Sequence, residues 1–196
     1  MSSEVKANKI SPATGTAFTF GDSGDTFTVP SGATITNSGT ATGFGGDNTP
    51  VFQAHMSSDQ TGLSDNTYYK CSINAETIDS DGAYDPTTNY RFTVPAGEGG
   101  KYYIFANVAA GTTSSKFIYG QVSIYKNGVN VVTHSSNDDA GWTSNKTMTI
   151  SAIMDLSAAD YLEIYAKVNT DSATNFDIYA MNTTGGATNF GGFKLI

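Results

Sequence analysis

Along residues 84–108 the side chains alternate more regularly than anywhere else in the chain. Tyr90, Phe92 and Val94 share one parity, and Tyr102, Ile104, Ala106 and Val108 do the same, so each half points one apolar row at a common core. Pro95 cannot donate to a ladder, and Gly99 and Gly100 permit unusual dihedrals, so a turn should separate two strands. Comparable runs predict strands at 51–56, 68–75, 90–94, 102–108, 117–125, 129–133, 147–153, 161–168, 176–181 and 190–195. Turn signals separate them: Asp81-Gly82, Asn127-Gly128, Ala140-Gly141 and Gly185-Gly186. Asn127-Gly128 between two alternating runs is the strongest hairpin signal. No helical period intervenes. Many short strands without crossover helices predict an all-β, two-sheet antiparallel sandwich or jelly roll.

One strand shows both of its faces. Leu162, Ile164, Ala166 and Val168 should point inward, which leaves Tyr161, Glu163, Tyr165 and Lys167 outside. Phe176, Ile178 and Ala180 likewise leave Tyr179 outside. Outward tyrosines are enriched where another surface covers them, so Tyr161, Tyr165 and Tyr179 are the expected subunit interface.

The first 46 residues have a different texture. Short bursts at Ala17-Phe18-Thr19-Phe20, Thr26-Phe27-Thr28-Val29 and Ala33-Thr34-Ile35 are punctuated by Gly15, Gly21, Gly24, Gly32 and Gly39. The bursts read as very short strands, too poor in apolar material to enclose a core without a partner chain, or as a flexible Ser/Thr/Gly tail. Residues 47–50 read as a hinge. The organisation is therefore an extended segment 1–46, a hinge 47–50 and a head 51–196.

Composition sharpens this. Only 14% of the 196 residues are charged, while Gly, Ser, Thr, Asn and 11 each of Tyr and Phe suit strands and turns. The net charge of −8 argues against nucleic acid, whose phosphates need Lys and Arg to displace counterions. No apolar run is long enough for a transmembrane helix, so no membrane insertion is expected, and the first residues lack the apolar core of a secretory signal. Cys71 is the single cysteine, which excludes an intrachain disulfide, and its parity with Tyr69 and Ile73 points to a core thiol.

Candidate chemistry is sparse. His55 and His134 stand in no nucleophile or metal spacing, and no Gly-x-Ser-x-Gly elbow, phosphate loop or zinc signature occurs. Carboxylates cluster at Asp79-Ser80-Asp81 and Asp138-Asp139, with Glu163 on a strand. Two acids flanking a sugar bond could cleave a glycan, but Asp in such turns is favoured simply by bonding its own backbone. Trp142 ends the polar loop 135–142. Asp138, Asp139 and Trp142 are the candidate ligand-binding loop, for a glycan or a protein.

In order, Ile73, Asp79, Tyr84, Phe92, Gly100, Tyr102 and Ile104 resemble the motif of the complement component 1q globular-head family, relatives of tumour necrosis factor. Lys126-Asn127-Gly128, Ala159-Asp160-Tyr161-Leu162-Glu163-Ile164 and Phe190-Gly191-Gly192-Phe193-Lys194-Leu195 extend the resemblance over residues 51–196, with Ala159 where the family has glycine. The resemblance implies a two-sheet jelly roll that assembles as a homotrimer with its last strand near the threefold axis. It also makes calcium a candidate ligand at Asp79 and Asp81, since some relatives bind it and the turn offers hard oxygens; no other cofactor is implied.

The phrase from Thr16 to Pro30 is similar to segments of tailed-bacteriophage structural proteins. That implies a virion protein assembled in the host cytoplasm, a trimeric fibre or appendage. Its amino-terminal segment would hold other virion proteins, and its head would contact a host-surface glycan or protein. The alternatives are a capsid decoration or adaptor protein, and a carbohydrate-active enzyme.

Overall fold

Tyr102, Ile104, Ala106 and Val108 are all 0% exposed, and the strand that carries them is the spine of the larger of two sheets. The computed structural model describes residues 10–12, 14–15, 19, 21–36, 38, 48–112, 115–137, 145–180 and 188–195. The chain divides into two units, Met1–Phe44 and Gly45–Ile196.

In chain order the strands are β1 (Val51–His55), β2 (Gln60–Leu63), β3 (Tyr69–Lys70), β4 (Ala75–Asp79), β5 (Tyr84–Asp85), β6 (Arg91–Thr93), β7 (Gly100–Gly111), β8 (Phe117–Lys126), β9 (Val129–Asn137), β10 (Asn145–Leu156), β11 (Tyr161–Thr170), β12 (Phe176–Tyr179) and β13 (Asn189–Lys194). No helix occurs among the described residues. In the first sheet, β10 runs along one edge of β7, while β13 and β12 share the other edge. β1 lies beyond β13, β4 beyond β1 and β2 beyond β12. In the second sheet, β11 is flanked by β8 on one side and by β6 and β3 on the other, with β9 outside β8 and β5 outside β6. Each of these pairings is antiparallel. From β6 onward the chain crosses between sheets at β6 to β7, β7 to β8, β9 to β10, β10 to β11 and β11 to β12, and the first and last strands, β1 and β13, lie side by side. This is a jelly-roll wrapping.

The core is sewn together by aromatic rings. Phe52 of the first sheet stacks on Phe92 of the second, centroids 4.3 Å apart and planes 6° from parallel. Phe190 meets Phe52 edge-on at 4.9 Å, and Tyr102 closes on Phe92 at 5.7 Å. Such contacts bind the layers beyond simple area burial. Asn127 and Gly128 have φ of +53° and +78°, the dihedrals of the two-residue hairpin turn that joins β8 to β9.

The short strands β2 and β5 fall outside every expected strand, and three expected stretches differ. The single strand expected at 68–75 is broken, because the Ile73 N–H donates to the Cys71 carbonyl at 2.9 Å and the chain leaves the second sheet there for the first. Tyr90 is not the first inward residue of its strand. Its φ is +50°, and Asp85, whose carboxylate accepts the Thr87, Thr88 and Asn89 amides, closes a turn that delivers the chain to Arg91. In the amino-terminal unit, the expected short strands at 26–29 and 33–35 are absent: those residues are exposed and form no ladder. Turns remain, held by Asp25 N–H to the Asp22 carbonyl and Ala33 N–H to the Pro30 carbonyl, both at 3.0 Å. Of the burst at 17–20, only Thr19 lies within the described residues.

Candidate functional site

Because β7 puts its even residues inward, its odd residues Tyr103 and Phe105 face outward on the first sheet. Register places Tyr103 between Phe193 and Ile153, and Phe105 between Gly191 and Ser151. The Tyr103 ring lies 5.7 Å from Phe193 and 6.2 Å from Phe105. Ile153 is 68% exposed, and Ile78, across Gln53 on the same sheet, is 47% exposed. One strand position further along, the face turns polar: Thr149 donates to Asn107 at 2.7 Å, and Asn107 donates to Asn189 at 3.0 Å. An aromatic and aliphatic patch thus sits in adjacent registers on a two-layer protein. The sequence expectation did not include it, although Tyr103 and Phe105 are the outward parity of the most regular strand in the chain.

The three tyrosines expected at an interface do not share a surface. Tyr161 and Tyr165 lie on the outer face of the second sheet, whereas Tyr179 sits on β12 of the first. Arg91 stacks its guanidinium over the Tyr161 ring at 4.3 Å. Tyr165 stacks on Tyr125 at 4.0 Å, and Tyr68 meets Tyr125 edge-on at 6.3 Å. Between them Glu163 is only 5% exposed and is answered by Lys70 at 2.7 Å. Part of the apolar area that makes these tyrosines conspicuous is therefore covered by the chain itself.

The acidic turn is tied to its own backbone. Asp79 Oδ1 accepts the Asp81 and Ala83 amides at 3.3 and 3.0 Å, and Oδ2 accepts the Tyr84 amide at 2.9 Å. The Ser80 hydroxyl donates to Asp81. These amides occupy three of the roughly four lone-pair sites of the Asp79 carboxylate. Among the described residues no three His, Cys, Asp or Glu side chains converge as a metal cluster. Asp138, Asp139 and Trp142 lie outside the described residues. His55 Nδ1 is 3.1 Å from the Thr77 hydroxyl, and His134 is exposed on the edge strand β9. Cys71 is buried, and burial pushes its thiol pKa up.

No family model matches the chain, and no curated protein matches it. Among solved structures it is similar to the globular domain of zebrafish complement 1qA protein, with a TM-score of 0.48 and 13% identity over 75% of this chain and 98% of that one. At that identity the likeness concerns the fold alone.

Proposed function

We propose that this chain is a virion appendage protein whose jelly-roll head self-associates as a trimer through the outer face of its first sheet and holds a host surface. The observation that carries the reading is the patch of Tyr103, Phe105, Phe193 and Ile153. Apolar side chains grouped in adjacent registers on an outer sheet face are costly to leave in water, and in a closed threefold ring each subunit's face is covered by its neighbour through a heterologous contact. Trimeric order and a virion setting come from the sequence resemblances. The glycine-punctuated segment before the head is the part that would attach to the particle.

Solution mass decides the assembly. The wild-type chain should sediment as a trimer at micromolar concentration, and Tyr103→Ser with Phe193→Ser should shift it to monomer. The pair Tyr161→Ser and Tyr165→Ser should leave it trimeric. A monomeric wild type, or dissociation by the second pair alone, refutes the first-sheet interface. Competition by purified protein against particle adsorption tests the host contact.

A further inference from the structure

The chain carries a net charge of −8, yet the outer face of its second sheet is built from cations and phenols. Register sets Arg91, Lys70 and Lys167 on that face together with Tyr68, Tyr119, Tyr125, Tyr161 and Tyr165. Glu163 neutralises Lys70. Arg91 and Lys167 make no ion pair among the described residues, unlike Lys70, Lys126 and Lys194. Instead, the Arg91 guanidinium sits over the Tyr161 ring, 4.3 Å from its centroid, and the Lys167 ammonium stands 4.9 Å from the Tyr68 ring centroid and 5.5 Å from that of Tyr119.

Stacking on a ring orients a guanidinium and leaves its N–H fork free for a planar anion. Asp85, the nearest acid to Arg91 across the β5–β6 pair, is engaged in its own turn by the Thr87, Thr88 and Asn89 amides and the Asn89 side chain. Asp81, Asp85, Thr93 and Val94 join Arg91 around an open cavity of about 340 Å³ at that edge, with Asp85 turned to its own backbone amides and Asp81 to the Ser80 hydroxyl. Arg91 and Lys167 are separated by about 13 Å along the strand direction, taking four residues at the usual rise. Tyr165 and the Lys70–Glu163 ion pair lie between them, while Gln121, which accepts the Tyr68 hydroxyl at 2.7 Å, and Ser135 continue the face beyond Lys167 as neutral hydrogen-bonding groups.

We propose that this face binds an acidic polysaccharide, with Arg91 and Lys167 each taking a sugar carboxylate and the tyrosines between them packing against sugar rings. The occupant is chosen by charge complementarity. Two cations without carboxylate partners on an otherwise acidic protein favour an anion, and a spaced pair set among phenols suits a chain of rings that bears carboxylates at intervals. The inference rests on reading the head as a surface-binding module but not on the trimer: a monomer that bound the polymer would overturn the assembly and leave this intact.

The test is calorimetry of the full chain with polygalacturonate oligosaccharides at low salt, against neutral dextran and single-stranded DNA. Binding to polygalacturonate that weakens with salt, with none to dextran, is expected. Arg91→Gln and Lys167→Gln should each weaken it about tenfold, the size of one charge-assisted contact. Arg91→Lys should recover only part of the loss, while Lys101→Gln on the other sheet should change nothing. Unaltered melting of Lys167→Gln keeps the readout free of any folding defect at Arg91. No binding to polygalacturonate, equal binding of DNA, or an equal loss with Lys101→Gln overturns the proposal.

Discussion

Phe105 lies against Gly191: a Cβ built on the glycine would stand 2.5 Å from the ring's Cζ. The missing side chain lets an outward aromatic lie down on β13, which extends the patch towards β1. Gly192 next to it is tight for another reason. Its Cβ would stand 2.6 Å from Ile104 Cδ1 and 2.8 Å from the Tyr103 carbonyl oxygen.

A Cβ at Gly191 would also meet the Phe52 carbonyl oxygen, at 3.0 Å, but its closest obstacle is a ring on the outer face that can swing aside. Gly192, in contrast, is closed by a core side chain and by a nearer ladder carbonyl. Gly192→Ala should therefore cost on the order of 2–3 kcal/mol and Gly191→Ala about 1 kcal/mol, within the range of overpacking. Denaturant unfolding of the two variants measures the difference, and equal losses would contradict it.

Ala159 has φ of +70° in the turn that leads into β11, in the place where the sequence resemblance expects glycine. An L-residue there pays roughly 1–2 kcal/mol that glycine does not, offset in part by glycine's larger unfolded entropy. Ala159→Gly should stabilise the head by about 0.5–1 kcal/mol and raise Tm by about 2–4 °C. An unchanged or lower Tm in a thermal scan would mean that the turn relaxes around alanine.

Asp160 ties three strands' ends together. Its carboxylate takes Lys126 at 2.8 Å, the Asn127 amide group at 2.7 Å and the Ser157 N–H at 2.8 Å, and these bonds hold its pKa down to about 2, from 3.8. Below pH 3.8 the unfolded chain takes up a proton that the folded one still refuses, so this stabilisation is present above that pH and is lost as pH falls towards 2. Asp160→Asn should flatten the acid limb of a stability–pH curve between about pH 4 and 2. A limb of unchanged slope in the variant would assign acid unfolding to other carboxylates.

Alternation makes the sheets legible from the sequence alone, because period 2 and burial are one signal in a sandwich: Phe92, Val94, Tyr102, Ile104, Leu162 and Phe176 all face the core as expected. What the pattern hides is local hydrogen bonding. The Cys71–Ile73 turn breaks an apolar run that still alternates, and β2 and β5, at four and two residues, are too short for a period to register. Outward tyrosines are visible in the pattern, but their cover is not. Arg91 reaches Tyr161 from a distant part of the chain, and Lys70 reaches Glu163 across 93 positions, so only the fold brings these pairs together. Tyr103 and Phe105 escape notice for the opposite reason: the unbroken buried parity of β7 dominates the pattern and masks the apolar residues on its other face.

Two buried weak acids make the head sensitive to base. Cys71 is 1% exposed between the sheets, and Tyr84 is 5% exposed with its hydroxyl donated to the Ile73 carbonyl at 2.9 Å. Burial raises both pKa values well above their ordinary 9.0 and 10.0. The folded chain therefore keeps protons that the unfolded chain gives up, so stability is at its full value below about pH 9 and declines above it, first through the thiol and then through the phenol. Denaturant midpoints should hold constant up to about pH 8.5 and fall from there. Cys71→Ala should remove the earlier part of that fall, and Tyr84→Phe the later part. A disulfide-exchange reagent offers an independent check: the Cys71 thiol should react only as fast as the head unfolds, along the same denaturant midpoint as circular dichroism. Rapid labelling in native buffer would mean that the layer between Cys71 and Tyr84 opens without global unfolding.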